Sequence, residues 1–120
     1  MSAISETIMS ATSHPGDSTV ETVEGTAYKG DGYYSRADGF HTTQINVAGF
    51  IGTIKLQATL ATTPLASDWF DISSVTHTST ATGTAEADGS KLFNFTGNFV
   101  WVRTHVVYTD GTINSVLLNH

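Results

Sequence analysis

Residues 99 to 107 restrict what this chain can fold into more than any other stretch. The odd positions are Phe99, Trp101, Arg103, His105 and Val107; the even ones are Val100, Val102, Thr104 and Val106, with Tyr108 next. β-Branched and aromatic residues at this density favour a strand. Neighbours in a strand point to opposite faces, so a sheet with one wet side should alternate apolar with polar. Here both sides are apolar, and one also holds an arginine and a histidine. The segment therefore predicts a central strand covered front and back. Val100, Val102 and Val106 face the core, while Phe99, Trp101, Arg103 and His105 lie beneath a second cover. That cover is a loop of the same chain, the N-terminal segment or another molecule.

The rest of the chain reads as strands and turns. Val20 to Glu24 has the parity of an edge strand, and Phe40 to Val47 forms another, with a turn at Ala48-Gly49. In "IGTIKLQATLA", Ile54, Leu56, Ala58 and Leu60 alternate with Thr53, Lys55, Gln57 and Thr59, giving one buried and one wet face. Pro64 breaks this pattern, and Trp69 and Phe70 resume it between Asp68 and Asp71. Residues 73 to 90 read as an exposed strand or long loop closing at Asp88-Gly89. A short strand carries Leu92, Phe93 and Phe95 and ends at Gly97-Asn98. The long strand from Phe99 then turns at Asp110-Gly111, a hairpin signal between β-branched runs, and Ile113 to Leu118 returns. Gly30-Asp31-Gly32 and Asp38-Gly39 are further turn signals. About eight short strands with a turn roughly every ten residues predict an antiparallel β-sandwich or jelly roll. Residues 1–19 are rich in Ser and Thr and free of Lys and Arg. They read as an extended N-terminal arm ahead of one domain over 20–120; a short helix with Ile4, Ile8 and Met9 on one side is the lesser alternative.

Composition narrows the function. Only 13% of the 120 residues are charged and the formal net charge is -6, against an ordinary charged share of about 25%. A phosphate backbone repels such a chain, so nucleic acid is not an expected partner. There is no cysteine, hence no disulfide and no thiolate metal site. No signal peptide is recognisable and no apolar run reaches the roughly 20 residues of a membrane span. The surface must be covered by Thr, Ser, Asn and Gly, which suits a β protein whose exterior is partly occluded by neighbours.

No catalytic constellation stands out. The chain has no nucleophile elbow, no phosphate-cradling glycine loop and no paired-histidine metal motif. His14, His41, His77, His105 and His120 are scattered and read as isolated surface or hydrogen-bonded side chains. Asp68 and Asp71 flank Trp69-Phe70, but a calcium site needs six or more oxygens. Asp68 is expected to cap a turn and Trp69 to fill the core. Trp101, Arg103 and His105 share one strand face, the chemistry of an interface hot spot or a sugar platform. In the plainer alternative Trp101 belongs to the core and Arg103 snorkels. Of Tyr33-Tyr34, one side chain is expected to be buried and the other to offer a contact.

The C-terminal part also carries a resemblance. Gln57, Thr59, Leu60, Pro64, Trp69 and Phe70, followed by Gly97, Asn98, Phe99, Trp101, Arg103, Gly111 and Ile113, resemble small β-rich virion proteins of tailed bacteriophages. The T4-like phages of marine cyanobacteria are the nearest in kind. The likeness covers about residues 50–120. It implies a structural protein with no catalytic residues and no cofactor, made in the host cytoplasm and carried in the virion. The expected role is a capsid decoration or cement protein. It would dock on capsid or other virion proteins in many symmetric copies, through its arm and one sheet face. The expected contact residues are Phe99, Trp101, Arg103, His105, Tyr33, Tyr34, Ile4 and Ile8. A neck, baseplate or tail-fibre component touching host glycans is the alternative, and a free carbohydrate-binding module is a third.

Overall fold

The computed structural model of the chain describes residues 6–16, 19–30, 40–81, 83–84 and 86–119. These form eight strands. They are β1 (Glu6–Met9), β2 (Thr12–Ser13), β3 (Glu21–Glu24), β4 (Tyr28–Lys29), β5 (Phe40–Thr59), β6 (Phe70–Ser79), β7 (Gly89–Thr96) and β8 (Trp101–Asn119). A 3-10 turn, Ala66–Asp68, lies between β5 and β6. The protein is all-β, and the described strands belong to one antiparallel sheet.

Two strands organise the rest. β5 and β8 run antiparallel from Thr42 opposite Asn119 to Thr59 opposite Trp101. Every other strand pairs with one of them: β6 and β7 with β5, and β1 to β4 with β8. The pairing is irregular only in the middle, where register shifts fall between Asn46 and Val47, between Ala48 and Ile51, and between Ile51 and Gly52. Bulges of this kind bend a strand sharply. They divide the ladder into a first half (β7, residues 40–47, residues 113–119, β1) and a second half (β6, residues 52–59, residues 101–108, β3 and β4).

The two halves share one core. In β5 the inward positions are odd before the corner (Ile45, Val47) and even after it (Ile54, Leu56, Ala58). Side chains from both halves, among them Phe95, Val116 and Leu118 with Ile72, Val75, Val102 and Val106, join a single buried cluster. The result is sandwich-like. The observed pairings give no support to a jelly roll, since β2, β3 and β4 all pair with β8.

Two expected turns are therefore corrected. Ala48-Gly49 and Asp110-Gly111 do not reverse the chain; they face each other inside two continuous strands. Glycine announces a backbone position with positive φ, and a bulge needs that as much as a hairpin does. Gly111 has φ 98°, and a Cβ there would lie 2.5 Å from the Phe50 Cα. At Gly52 a Cβ would lie 2.5 Å from the Tyr108 Cα. Only hydrogen fits at either point.

Within the expected N-terminal arm, β1 and β2 join the sheet. Residues 6–9 are a strand, not a helix, and pair with β8 from Glu6 opposite Leu118 to Met9 opposite Val116. Ile8 is 1% exposed, inside the core, and is not a docking residue. Its cause lies in β8, which would otherwise leave a row of backbone donors and acceptors unpaired along that edge. His14 fastens the next segment. Its Nε2 donates to the Thr19 carbonyl at 2.7 Å and its Nδ1 accepts from the Gly16 N–H at 2.9 Å. Ile4, Tyr33 and Tyr34, and the turn signals at Asp31-Gly32 and Asp38-Gly39, lie outside the described residues.

Two substitutions test this architecture. Gly111→Ala should lower the unfolding free energy by about 2 kcal/mol or more, because the αL penalty of about 1–2 kcal/mol adds to a backbone clash. Ile8→Ala should cost about 2–5 kcal/mol, as a fully buried isoleucine does. Both are read from urea unfolding midpoints; a truncation-like Ile8 variant with wild-type stability would mean that β1 is not part of the core.

Candidate docking surface

The outward side of the second half is where the sequence pointed, and the chain covers it itself. Arg103 lies at its centre. Its Nε donates to Gln57 Oε1 at 2.9 Å, and its guanidinium meets Glu24 of β3 at 2.6 Å. The Trp69 ring lies beneath it, 4.4 Å from Cζ to the centroid. Gln57 is directly opposite Arg103 in the ladder, the distance at which cross-strand pairs interact most strongly. Gln57 Nε2 then donates to Asp71 Oδ1 at 2.9 Å, and Asp71 pairs with Lys55 at 3.0 Å. Trp101 Nε1 donates to the Thr62 carbonyl at 3.1 Å. The second cover is thus the 60–69 connection together with β3.

Trp69 differs from its expected place. It is half-buried on the outer face under Arg103, not in the core. A cation over an indole is stabilising by about 0.5–2 kcal/mol, so the tryptophan gains from the arginine what it would otherwise gain from the interior. Asp68 does cap a turn, its Oδ2 accepting from the Leu65 N–H at 2.8 Å.

His105 completes the network. It stands opposite Glu24 and opposite Lys55 on its two flanks. Its Nδ1 is buried and has no hydrogen-bond partner among the described residues. Burial lowers its pKa first, and Lys55 lowers it further; Arg103 adds to this, while Glu24 and Asp71 oppose it. Asp71 is held below the ordinary carboxylate range by its hydrogen bonds from Gln57 and Lys55.

The uncovered apolar surface is elsewhere, at the end of the sandwich where β6, β7 and the end of β5 meet. A cleft of about 640 Å³ opens there, with Ala58, Ile72 and Phe99 among its lining. Leu60 and Phe70, each 70% exposed, stand at its rim. A second hollow of about 560 Å³ adjoins it through Ser74 and Thr96 and is lined by Phe40, His41 and Phe95. His41 stacks on Phe95 with ring centroids 4.7 Å apart, so the floor is a layer of flat rings. β6 and β7 pair only with β5, which leaves this groove between two sheet margins.

Of the expected contact residues, Phe99 is brought to the groove. Trp101, Arg103 and His105 are brought together but are engaged by their own chain. Leu60, expected among the inward positions, is exposed because the ladder ends at Thr59. Phe40 and Phe70 were not among the expected contact residues, since an aromatic at the first position of a strand looks the same whether it packs or protrudes. No cluster of three or more His, Asp or Glu able to hold a metal is found among the described residues. No helix among them is long and apolar enough to cross a membrane.

Neither the comparison with protein-family models nor that with curated proteins yields a match.

The depressed His105 pKa has a signed consequence. A histidine kept neutral by the fold is protonated more readily in the unfolded chain, so its share of stability is intact above the unfolded pKa of 6.5 and is lost as pH falls below it. The urea midpoint should therefore drop between neutral and mildly acidic pH. His105→Gln should flatten part of that drop, and an unchanged slope in the variant would show that His105 does not titrate as its surroundings imply.

Proposed function

We propose that the chain is a non-enzymatic virion structural protein of a tailed bacteriophage, a capsid decoration or cement subunit, and that it docks through the apolar groove. The observation that carries this reading is the rim of Phe40, Leu60 and Phe70, all about 70% exposed, gathered around one cleft, whereas the other exposed large apolar side chains, Val20, Leu65 and Leu92, line neither of its hollows. An apolar patch bordered by polar residues marks a contact site on a soluble protein. Burying each rim side chain would contribute about 1.5–3 kcal/mol before the cost of association. The matching surface on the neighbour is an apolar segment with one or two large side chains to fill the cleft over Ile72 and Phe99.

The phage assignment rests on the resemblance of residues 50–120. The groove supports adhesion in general and accommodates either a capsid or a tail position. A glycan platform has less support, because Trp101 and Trp69 are engaged with Thr62 and Arg103 instead of forming an open pair of rings.

The double variant Leu60→Ser, Phe70→Ser should keep its fold, since both side chains are exposed, and should reduce incorporation into virions at least tenfold. The measurement is the copy number in purified particles, with far-UV circular dichroism of the isolated variant as the folding control. A folded variant that enters particles at the wild-type level would refute docking through the groove.

A further inference from the structure

The outward side of the first half differs from that of the second in its chemistry. Across it run three rows: Asn94, Thr42 and Asn119; then Leu92, Gln44, Leu117 and Thr7; then Ser90, Asn46 and Ser115. None of these ten side chains is charged.

Six of the eight polar side chains are hydrogen-bonded to one another. Thr42 donates to Asn94 Oδ1 at 2.9 Å, and Gln44 Nε2 donates to Asn46 Oδ1 at 2.9 Å. Asn46 in turn donates to Ser115 Oγ at 2.8 Å and accepts from Ser90 Oγ at 2.6 Å. A polar group is costly to bury when it loses its hydrogen bond, and cheap when it keeps one. This lattice keeps its bonds under a cover. It is also already ordered, which removes part of the side-chain entropy cost of association.

One apolar knob rises from the lattice beside a hollow. Leu92 is 68% exposed. Next to it, Leu92, Leu117, Thr42, Gln44 and Asn119 line a dimple of about 110 Å³. Knob and hollow side by side on one sheet face are self-complementary about a two-fold axis, where each surface element meets its counterpart. Charge limits how that occupant can approach. Two copies of a chain with net charge -6 repel, and they approach with least repulsion through a face that carries no charge.

We infer that this face is the contact for a second copy of the chain. Two copies stack sheet to sheet, and the Leu92 of each enters the dimple beside Leu117 of the other. The contact is separate from the apolar groove and does not depend on what the groove binds.

Sedimentation equilibrium of the full chain over a concentration series tests it. The wild type should show a monomer–dimer equilibrium that tightens as salt is added, since screening removes the repulsion between like net charges. Leu92→Lys should raise the dimer dissociation constant at least about tenfold, and Asn94→Lys, an independent exposed position, should act in the same direction. The groove variant Leu60→Ser, Phe70→Ser should dimerise normally. A chain that stays monomeric at every concentration and salt would overturn the inference and leave the face to a different protein. Dimerisation that survives both lysine variants but is lost in the groove variant would also overturn it, by moving self-association to the groove.

Discussion

The bent ladder between β5 and β8 is the constraint on which everything else depends. A flat two-stranded ribbon of this length would expose both faces along its whole course. By doubling over at Gly52 and Gly111, the ribbon turns its two halves toward each other. Inward side chains switch parity at the corner, and a single core forms without a separate second sheet. The four short N-terminal strands and the two later ones then only complete margins that the ribbon has laid down. Backbone geometry at two glycines thus precedes hydrophobic burial in the logic of this fold, although burial supplies most of the free energy.

That geometry also explains how much was legible in the sequence. The inward set Ile54, Leu56, Ala58, Val102 and Val106 follows from period-two alternation alone and is found buried. The two-faced character of residues 99–107 correctly implied a cover on the second side. What alternation cannot reveal is the identity of a cover, because that depends on where a distant loop lands. Trp69 is 34 positions from Arg103 in the chain and lies directly under its guanidinium. The hairpin expected at Asp110-Gly111 failed for a related reason. Its residues report a positive φ, and only the partner strand determines whether the chain reverses there or bulges. Residues 6–13 failed through pairing: a Ser- and Thr-rich segment of weak intrinsic preference becomes strand because β8 has an open edge beside it.

Arg103, one of the expected hot-spot residues, illustrates the difference between a strong interaction and an available one. Arg103 has a carboxylate, an amide and an indole around it, three of the partners an interface would offer. Because its own chain provides them, a neighbour would have to displace bonds of equal quality to use it. Exposed Leu60 and Phe70 have no such bonds to lose. Water is their only competitor, and releasing it is favourable. Residues with the most recognisable chemistry are therefore the least suited to adhesion here, and plain aliphatic and aromatic side chains at a strand end are the better suited.

Charge is distributed in keeping with this division. Lys55, Asp71, Arg103 and Glu24 gather on the outward side of the second half, where each charge is answered by a neighbour, and His105 stands among them held toward its neutral form. The outward side of the first half answers its polar groups with amides and hydroxyls instead. The two faces respond differently to a cover. An ion-pair network loses solvation when water is removed, at a cost of several kcal/mol per desolvated ion. A neutral lattice loses little. One bent ribbon thus carries one face that favours water and one that tolerates contact, and the difference follows from which side chains the corner directs outward on each half.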